Sequence, residues 1–191
     1  MAIAIVAGLF YAFGHKSSSA PKVDQSKLVG LQTGPAPWNA GVDYLPNRMQ
    51  PLGLHQLGSE GQGVILHIHA HLDIFVNRKK EPVPAGIGIF NATGGFLTDL
   101  HTHTTGGVIH IESPAHRTFS LGEFFGVWGV RLTRTCVGGY CKPATPWRLY
   151  VNGAPYTGDP TQLVLKKHQE LAIIVGKPPK KIPSTYAFHG L

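Results

Sequence analysis

The stretch from Val64 to Asn77 alternates with a period of two, and no other segment constrains the fold as strongly. Even positions (Val64, Leu66, Ile68, Ala70, Leu72, Ile74 and Val76) are apolar throughout, while odd positions include His67, His69, His71, Asp73 and Asn77. Successive side chains of a β-strand point to opposite faces, so this pattern predicts a strand with one core face and one polar face. Three imidazoles and a carboxylate then share a single strand face.

The rest of the chain reads as short strands and turns around one helix. Arg78-Lys79-Lys80-Glu81 is expected to turn. Residues 83–90 read as an irregular strand whose start Pro82 and Pro84 keep off a central ladder. Short strands are expected over 100–104 and 108–112, parted by Gly106-Gly107. Ser120 is placed as a helix N-cap, with Glu123 three residues on at capping-box spacing. Phe124, Phe125, Val127 and Trp128 supply that helix's apolar face, and Gly129 closes it. Further strands are expected over 148–151, 163–165 and 170–175, with a hairpin-type turn at Asn152-Gly153. With 24 Gly and 15 Pro in 191 residues, a turn-rich α+β domain is favoured over a helical bundle. The chain is also shorter than a (β/α)₈ barrel, which needs about 200 residues. Boundaries are expected at 1–14 (signal or anchor segment), 15–60 (extended linker), 61–176 (His-rich domain) and 177–191 (polar tail).

From Val108 to Val175 the chain resembles the ubiquitin-like β-grasp family. A strand leads into Phe119-Ser120-Leu121-Gly122-Glu123-Phe124-Phe125 as the helix. Leu149-Tyr150-Val151-Asn152-Gly153 follows, and then the alternating run Leu165 to Val175. The resemblance implies a β-grasp-like mixed sheet with one short helix, preceded by the His-bearing strand. It does not imply sulfur-carrier activity, which needs a C-terminal diglycine, whereas this chain ends Phe188-His189-Gly190-Leu191. A cupredoxin-like β-sandwich is the alternative architecture. HIHAHLDIFV, LHTH, GVIHIESP and the SLGEFF–WG run also resemble a group of exported bacterial proteins with no established activity. That likeness implies a compartment and no mechanism.

Seven of the eleven histidines lie between His67 and His116. Same-face neighbours on a strand are about 6.6 Å apart at ~3.3 Å per residue, so imidazoles at i and i+2 can converge on an ion with M–N of about 2.0–2.1 Å. His67 and His71 are about 13 Å apart on the same arithmetic. One ion would therefore use His67/His69 or His69/His71, completed from another strand. His101 and His103 form a second such pair, and His110 with Glu112 a third. The two HxH units can make one four-nitrogen site or two sites. Asp73 and Glu112 are candidate ligands, or can orient an imidazole through its other nitrogen. Imidazole suits Zn, Cu, Fe and Ni, while Ca and Mg prefer oxygen. Met occurs only at Met1 and Met49, which disfavours a Met-rich Cu(I) site, so the expected cofactor is a copper or zinc ion. A hydrogen-bonded histidine network is the plainer alternative. His55, His116, His168 and His189 are read as solvent-facing or structural, and His15 as part of a tether.

Known catalytic patterns are missing. Asp73 follows Leu72 rather than preceding a histidine, as HxHxDH requires. No Glu follows His103 at cupin spacing, and HExxH, G-x-S-x-G and the P-loop do not occur. The excess of 17 Lys+Arg over 10 Asp+Glu forms no long basic run and is not interleaved with aromatics, which excludes nucleic acid as the expected partner.

Two features speak to compartment. Met1 to Phe13 is unbroken apolar sequence. As a helix it spans roughly 20 Å against a hydrocarbon core of ~30 Å, which suits a signal-peptide core or a truncated anchor. A buried terminal strand or helix is the alternative. Cys136 and Cys141 bracket Val137-Gly138-Gly139-Tyr140, a tight loop that a disulfide can close. Metal thiolates or two inert thiols are the alternatives. Disulfides persist in oxidising compartments. The expected protein is an exported or membrane-anchored, extracytoplasmic metal-binding protein that handles copper or zinc. Its partners are the metal ion and, through its N-terminus, the membrane; no protein partner is indicated. Two other functions stay open. One is a metal-dependent hydrolase or oxidase with Asp73 or Glu112 as base. The other is a metal-free β-grasp interaction module.

Overall fold

The alternating segment forms the longest strand among the described residues and sits in the middle of the main sheet. A computed structural model describes residues 21–58 and 63–191; the segment 1–14 and the Ser17–Ala20 tether lie outside the described residues. The elements in chain order are α1 (Leu45–Leu52), β1 (Gln56–Leu57), β2 (Leu66–Val76), β3 (Lys79–Glu81), β4 (Ile89–Phe90), β5 (Phe96–Thr98), β6 (Leu100–His101) and β7 (Val108–Ser113). Then come α2 (Leu121–Trp128), β8 (Cys136–Val137), β9 (Tyr140–Cys141), β10 (Trp147–Val151), β11 (Ala154–Tyr156) and β12 (Gln169–Val175). The class is α+β, mostly sheet.

The main sheet has seven strands in the order β11-β10-β12-β2-β7-β6, with β3 also paired to β2. β2 runs parallel to β12, from Ala70 opposite Gln169 to Val76 opposite Val175. Its other edge pairs antiparallel with β7 and, further along, with β3. The histidine strand is therefore a central strand, not an addition ahead of the sheet. Central strands of this kind are covered on both faces. All seven residues of β12 are buried. On β2 the apolar set Ala70, Leu72 and Ile74 is at most 1% exposed, yet His69, His71 and Asp73 are also buried. The polar face is thus covered from His69 to Asp73, while His67 stays exposed.

α2 forms as its sequence predicts. Ser120 Oγ accepts from the Glu123 amide at 3.1 Å, and Glu123 Oε2 accepts from the Ser120 amide at 2.7 Å. Gly129 ends the helix in the left-handed region at φ 70°, the usual glycine stop. Every residue of α2 is buried.

Several expectations need correction. The region read as an extended linker, 15–60, belongs to the core over its described part: Leu28, Trp38, Leu45, Met49, Leu52 and Leu57 are all buried. It also carries a second α-helix, α1, so the described residues hold two short α-helices where one was expected. From α1 the fully buried Arg48 donates to the carbonyls of Val29 (3.2 Å), Val127 (3.0 Å) and Gly41. Those contacts set a cation against the C-terminus of α2, where the helix dipole favours it. Arg78 to Glu81 is not one turn: Asn77 and Arg78 make it, both at positive φ, and β3 begins at Lys79. The strand expected over 83–90 is ordered only at β4, and 163–165 makes just one bridge, Ser120 to Val164. The polar tail 177–191 folds back, with Phe188 buried and stacked on His168. Cys136 and Cys141 are directly opposite on β8 and β9 and form a disulfide. Among the described residues no helix is long and apolar enough to cross a membrane.

Candidate metal centre

Register brings the histidines together. β2 against β7 sets His69 opposite His110 and His67 opposite Glu112. β7 against β6 sets His101 opposite His110. Residues directly opposite in an antiparallel pair carry Cβ atoms about 4.5–5.5 Å apart, so three adjacent strands present one row of imidazoles. Ring centroids are 4.5 Å apart for His69 and His110, and 5.2 Å for His101 and His110. His103 closes the row, 4.6 Å from His110.

The nitrogen atoms converge rather than merely pack. His69 Nε2 lies 3.1 Å from His67 Nε2 and 3.2 Å from His110 Nδ1. Glu112 Oε1 is 3.2 Å from His67 Nε2 and 3.8 Å from His110 Nδ1. In a tetrahedral site with bonds of about 2.0–2.1 Å, ligand atoms are about 3.3 Å apart. The separations of 3.1 to 3.8 Å lie around that value. His101 Nε2 approaches the same carboxylate oxygen at 3.8 Å.

The electrostatics keep donors in the ligating form. Burial, then the neighbouring histidines, pushes the His110 imidazole down to about 3. His69 is lowered too, by burial first and then by His67. Both are therefore neutral at pH 7, the state in which an imidazole binds metal. His101 Nδ1 contacts the Thr98 carbonyl at 2.9 Å. A carbonyl only accepts, so Nδ1 carries a proton, and in the neutral ring Nε2 holds the lone pair.

His71 and Asp73 go elsewhere. His71 Nε2 donates to the Gly106 carbonyl at 2.7 Å, and Nδ1 shares a proton with Glu170 Oε2 at 2.7 Å. Tyr186 stacks on the ring at 3.8 Å. Asp73 pairs with Lys80 at 2.6 Å. Although His71, Asp73 and Glu170 lie close enough to form a donor group, both nitrogens of His71 are already engaged. Gly107 makes this approach possible: at φ +84° a side chain is strained, and a Cβ there would press on the Leu72 carbonyl.

Two groups of three histidines can thus hold a metal ion, His67/His69/His110 and His101/His103/His110. Of the expected ligands, five histidines and Glu112 come together, while His71 and Asp73 do not join them. Sequence reasoning missed Glu170 and Thr98. Glu170 sits inside the apolar run of β12, and only the parallel pairing that sets it opposite His71 reveals its role. His55, read as solvent-facing or structural, is held at Nδ1 by buried Asp99 at 2.9 Å. A cavity of about 420 Å³, lined by Arg134, Lys142, Trp147 and Arg148 among others, includes none of the clustered histidines.

No known protein family, curated protein or solved structure matches the chain. Function has to be read from the donor atoms themselves.

Proposed function

We propose that this is a metal-binding protein that holds a zinc or copper ion on His67, His69, His110 and Glu112, and that it handles metal outside the cytoplasm. One observation carries the proposal: His69 Nε2 lies 3.1 and 3.2 Å from its two histidine neighbours, and Glu112 Oε1 lies 3.2 Å from His67 Nε2 and 3.8 Å from His110 Nδ1, close to the ~3.3 Å edge of a tetrahedral N/O site. Three imidazoles and one carboxylate suit Zn(II) by geometry, while Cu(II) competes by intrinsic affinity. A carboxylate at the fourth vertex favours a closed binding site over an open catalytic one, in which water holds that place. The Cys136–Cys141 disulfide supports an oxidising compartment. The apolar segment 1–14 fits a signal or anchor that reaches the membrane, in line with the likeness to exported bacterial proteins. For the architecture, the order β7-β2-β12-β10 with a parallel central pair and α2 between β7 and β10 supports the β-grasp reading, with β2 as its first strand.

The test is elemental analysis of the chelator-stripped chain after reloading with Zn(II) or Cu(II) and desalting. Retention of at least one ion per chain, with at least one ion lost when His69 and His110 are both replaced by alanine, is the expected outcome. A parent protein that keeps no metal refutes the proposal.

A further inference from the structure

The cluster holds more donors than one tetrahedral ion uses. His67, His69, His110 and Glu112 account for one ion. His101 and His103 remain on β6 and the loop after it, with ring centroids 4.8 Å apart, and they belong to the second histidine group that includes His110. His101 is fully buried, and its Nδ1 proton is held by the Thr98 carbonyl, so Nε2 is the atom that can ligate from the neutral ring. That atom lies 3.8 Å from Glu112 Oε1, the same oxygen that stands 3.2 Å from His67 Nε2. A carboxylate offers about four lone-pair positions on its two oxygens, so Glu112 can serve ions on both sides.

We propose that the histidine row is a two-ion centre, with Glu112 bridging a first ion on His67, His69 and His110 to a second on His101 and His103. This rests on the reading that the cluster binds metal. The two ions differ in access. His103 is solvent-exposed while His101 is buried, so the second position opens to solvent through His103. The first opens through His67, whose side chain is 42% exposed. An ion pair bridged through one carboxylate is also magnetically coupled when both ions are Cu(II), which gives a readout separate from stoichiometry.

The experiment titrates the full 191-residue chain with Cu(II), counting bound metal after desalting and integrating the Cu(II) electron paramagnetic resonance signal. The expected result is two ions per chain. The signal rises with the first equivalent and falls short of the second, because the coupled pair contributes less than two isolated ions. Replacing His103 alone with alanine, at an exposed position that leaves the core intact, should weaken the second ion at least about tenfold and restore a full one-ion signal. A His101→Gln/His103→Ala variant should stop at one ion. Saturation at one ion overturns the two-ion centre while leaving the proposed function standing. Two ions with full signal intensity overturn the bridge, and two ions in the His101→Gln/His103→Ala variant place the second ion elsewhere. A parent that retains no metal overturns both proposals together.

Discussion

Replacing His69 or His71 with alanine separates two roles on one strand face, because the residues are only two positions apart. His69 Nε2 is a vertex of the donor set, 3.1 and 3.2 Å from its two nitrogen neighbours. Structural zinc sites contribute ~10–16 kcal/mol over four ligands, or ~2.5–4 kcal/mol each. Loss of the His69 ligand should therefore weaken zinc by about two to three powers of ten. The metal-free protein should lose little, within about 1 kcal/mol, since no buried charge is stranded. His71→Ala should do the reverse. Glu170 is 1% exposed at its side chain and shares a proton with His71. Breaking a buried pair from one side costs ~3–5 kcal/mol. Burial already raises the Glu170 carboxyl, so it can neutralise itself, which favours the lower end, about 3 kcal/mol. Zinc affinity should stay within about twofold of the parent, because His71 gives no lone pair to the ion.

Urea unfolding followed by tryptophan fluorescence reads both effects, once in chelator and once with zinc at about 100 times Kd, where bound metal adds ~2.7 kcal/mol. The parent and His71→Ala should show that increment, and His69→Ala should not. Adding Glu170→Gln to His71→Ala should recover more than about 1 kcal/mol by removing the stranded carboxylate. If His71→Ala abolishes the zinc increment and His69→Ala keeps it, the donor assignment is wrong.

Acidification should destabilise the metal-free protein. His110 is held near 3 and His69 below its usual value, so between pH 6.5 and 3 the unfolded chain takes up protons that the folded chain refuses. Their contribution is fully present above pH 6.5 and is lost as pH falls. The difference in slope between parent and His110→Asn should be up to ~1.4 kcal/mol per pH unit, measured as urea midpoints at pH 7, 6 and 5. Arg48→Met leaves the carbonyls of Val29, Gly41 and Val127 without their donor. It should cost about 3 kcal/mol, since each bond to a charged group contributes ~1.5–3 kcal/mol and relief of a buried cation offsets part of the loss. Arg48→Lys should rescue this only partly, because the single ammonium nitrogen of a shorter side chain cannot stand where two guanidinium nitrogens meet their acceptors; thermal unfolding of both variants checks the order. Reduction of Cys136–Cys141, which are five residues apart, should cost about 2 kcal/mol by loop entropy, read from urea curves with and without dithiothreitol.

What the sequence disclosed was local. The period-two run reports β2, the Ser120/Glu123 spacing reports α2 with its cap, and the spacing of Cys136 and Cys141 reports their bond. Strand arithmetic argues against one ion taking all three histidines of the strand, and the structure sets His67 and His71 in different donor groups. What stayed hidden depends on pairing between distant segments. Nothing near His71 announces that Glu170, ninety-nine residues later, will lie opposite it and claim its Nδ1 atom. Nothing in the Gly- and Pro-rich stretch before residue 60 announces that Arg48 will cap a helix seventy-nine residues away. Long-range packing also covers the polar face of β2 from His69 to Asp73, with Tyr186 of the returning tail stacked on His71, since alternation fixes the two faces and not what covers them.

A hydrogen-bonded network is a poor account of the remaining cluster, and the reason lies in the valence of one atom. His69 Nε2 has a single in-plane direction, which serves either one proton to donate or one lone pair to accept. Two ring nitrogens approach it at 3.1 and 3.2 Å, so one approach must lack a good bond whichever tautomer is present. Burying polar atoms in that state costs free energy, and adding protons to the cluster sets like charges against one another around the buried His69, His101 and His110. A cation at the point of convergence resolves both difficulties, since each nitrogen then directs its lone pair at the ion and its remaining N–H elsewhere. Mounting the donors on three hydrogen-bonded strands holds that point of convergence in place before any ion arrives.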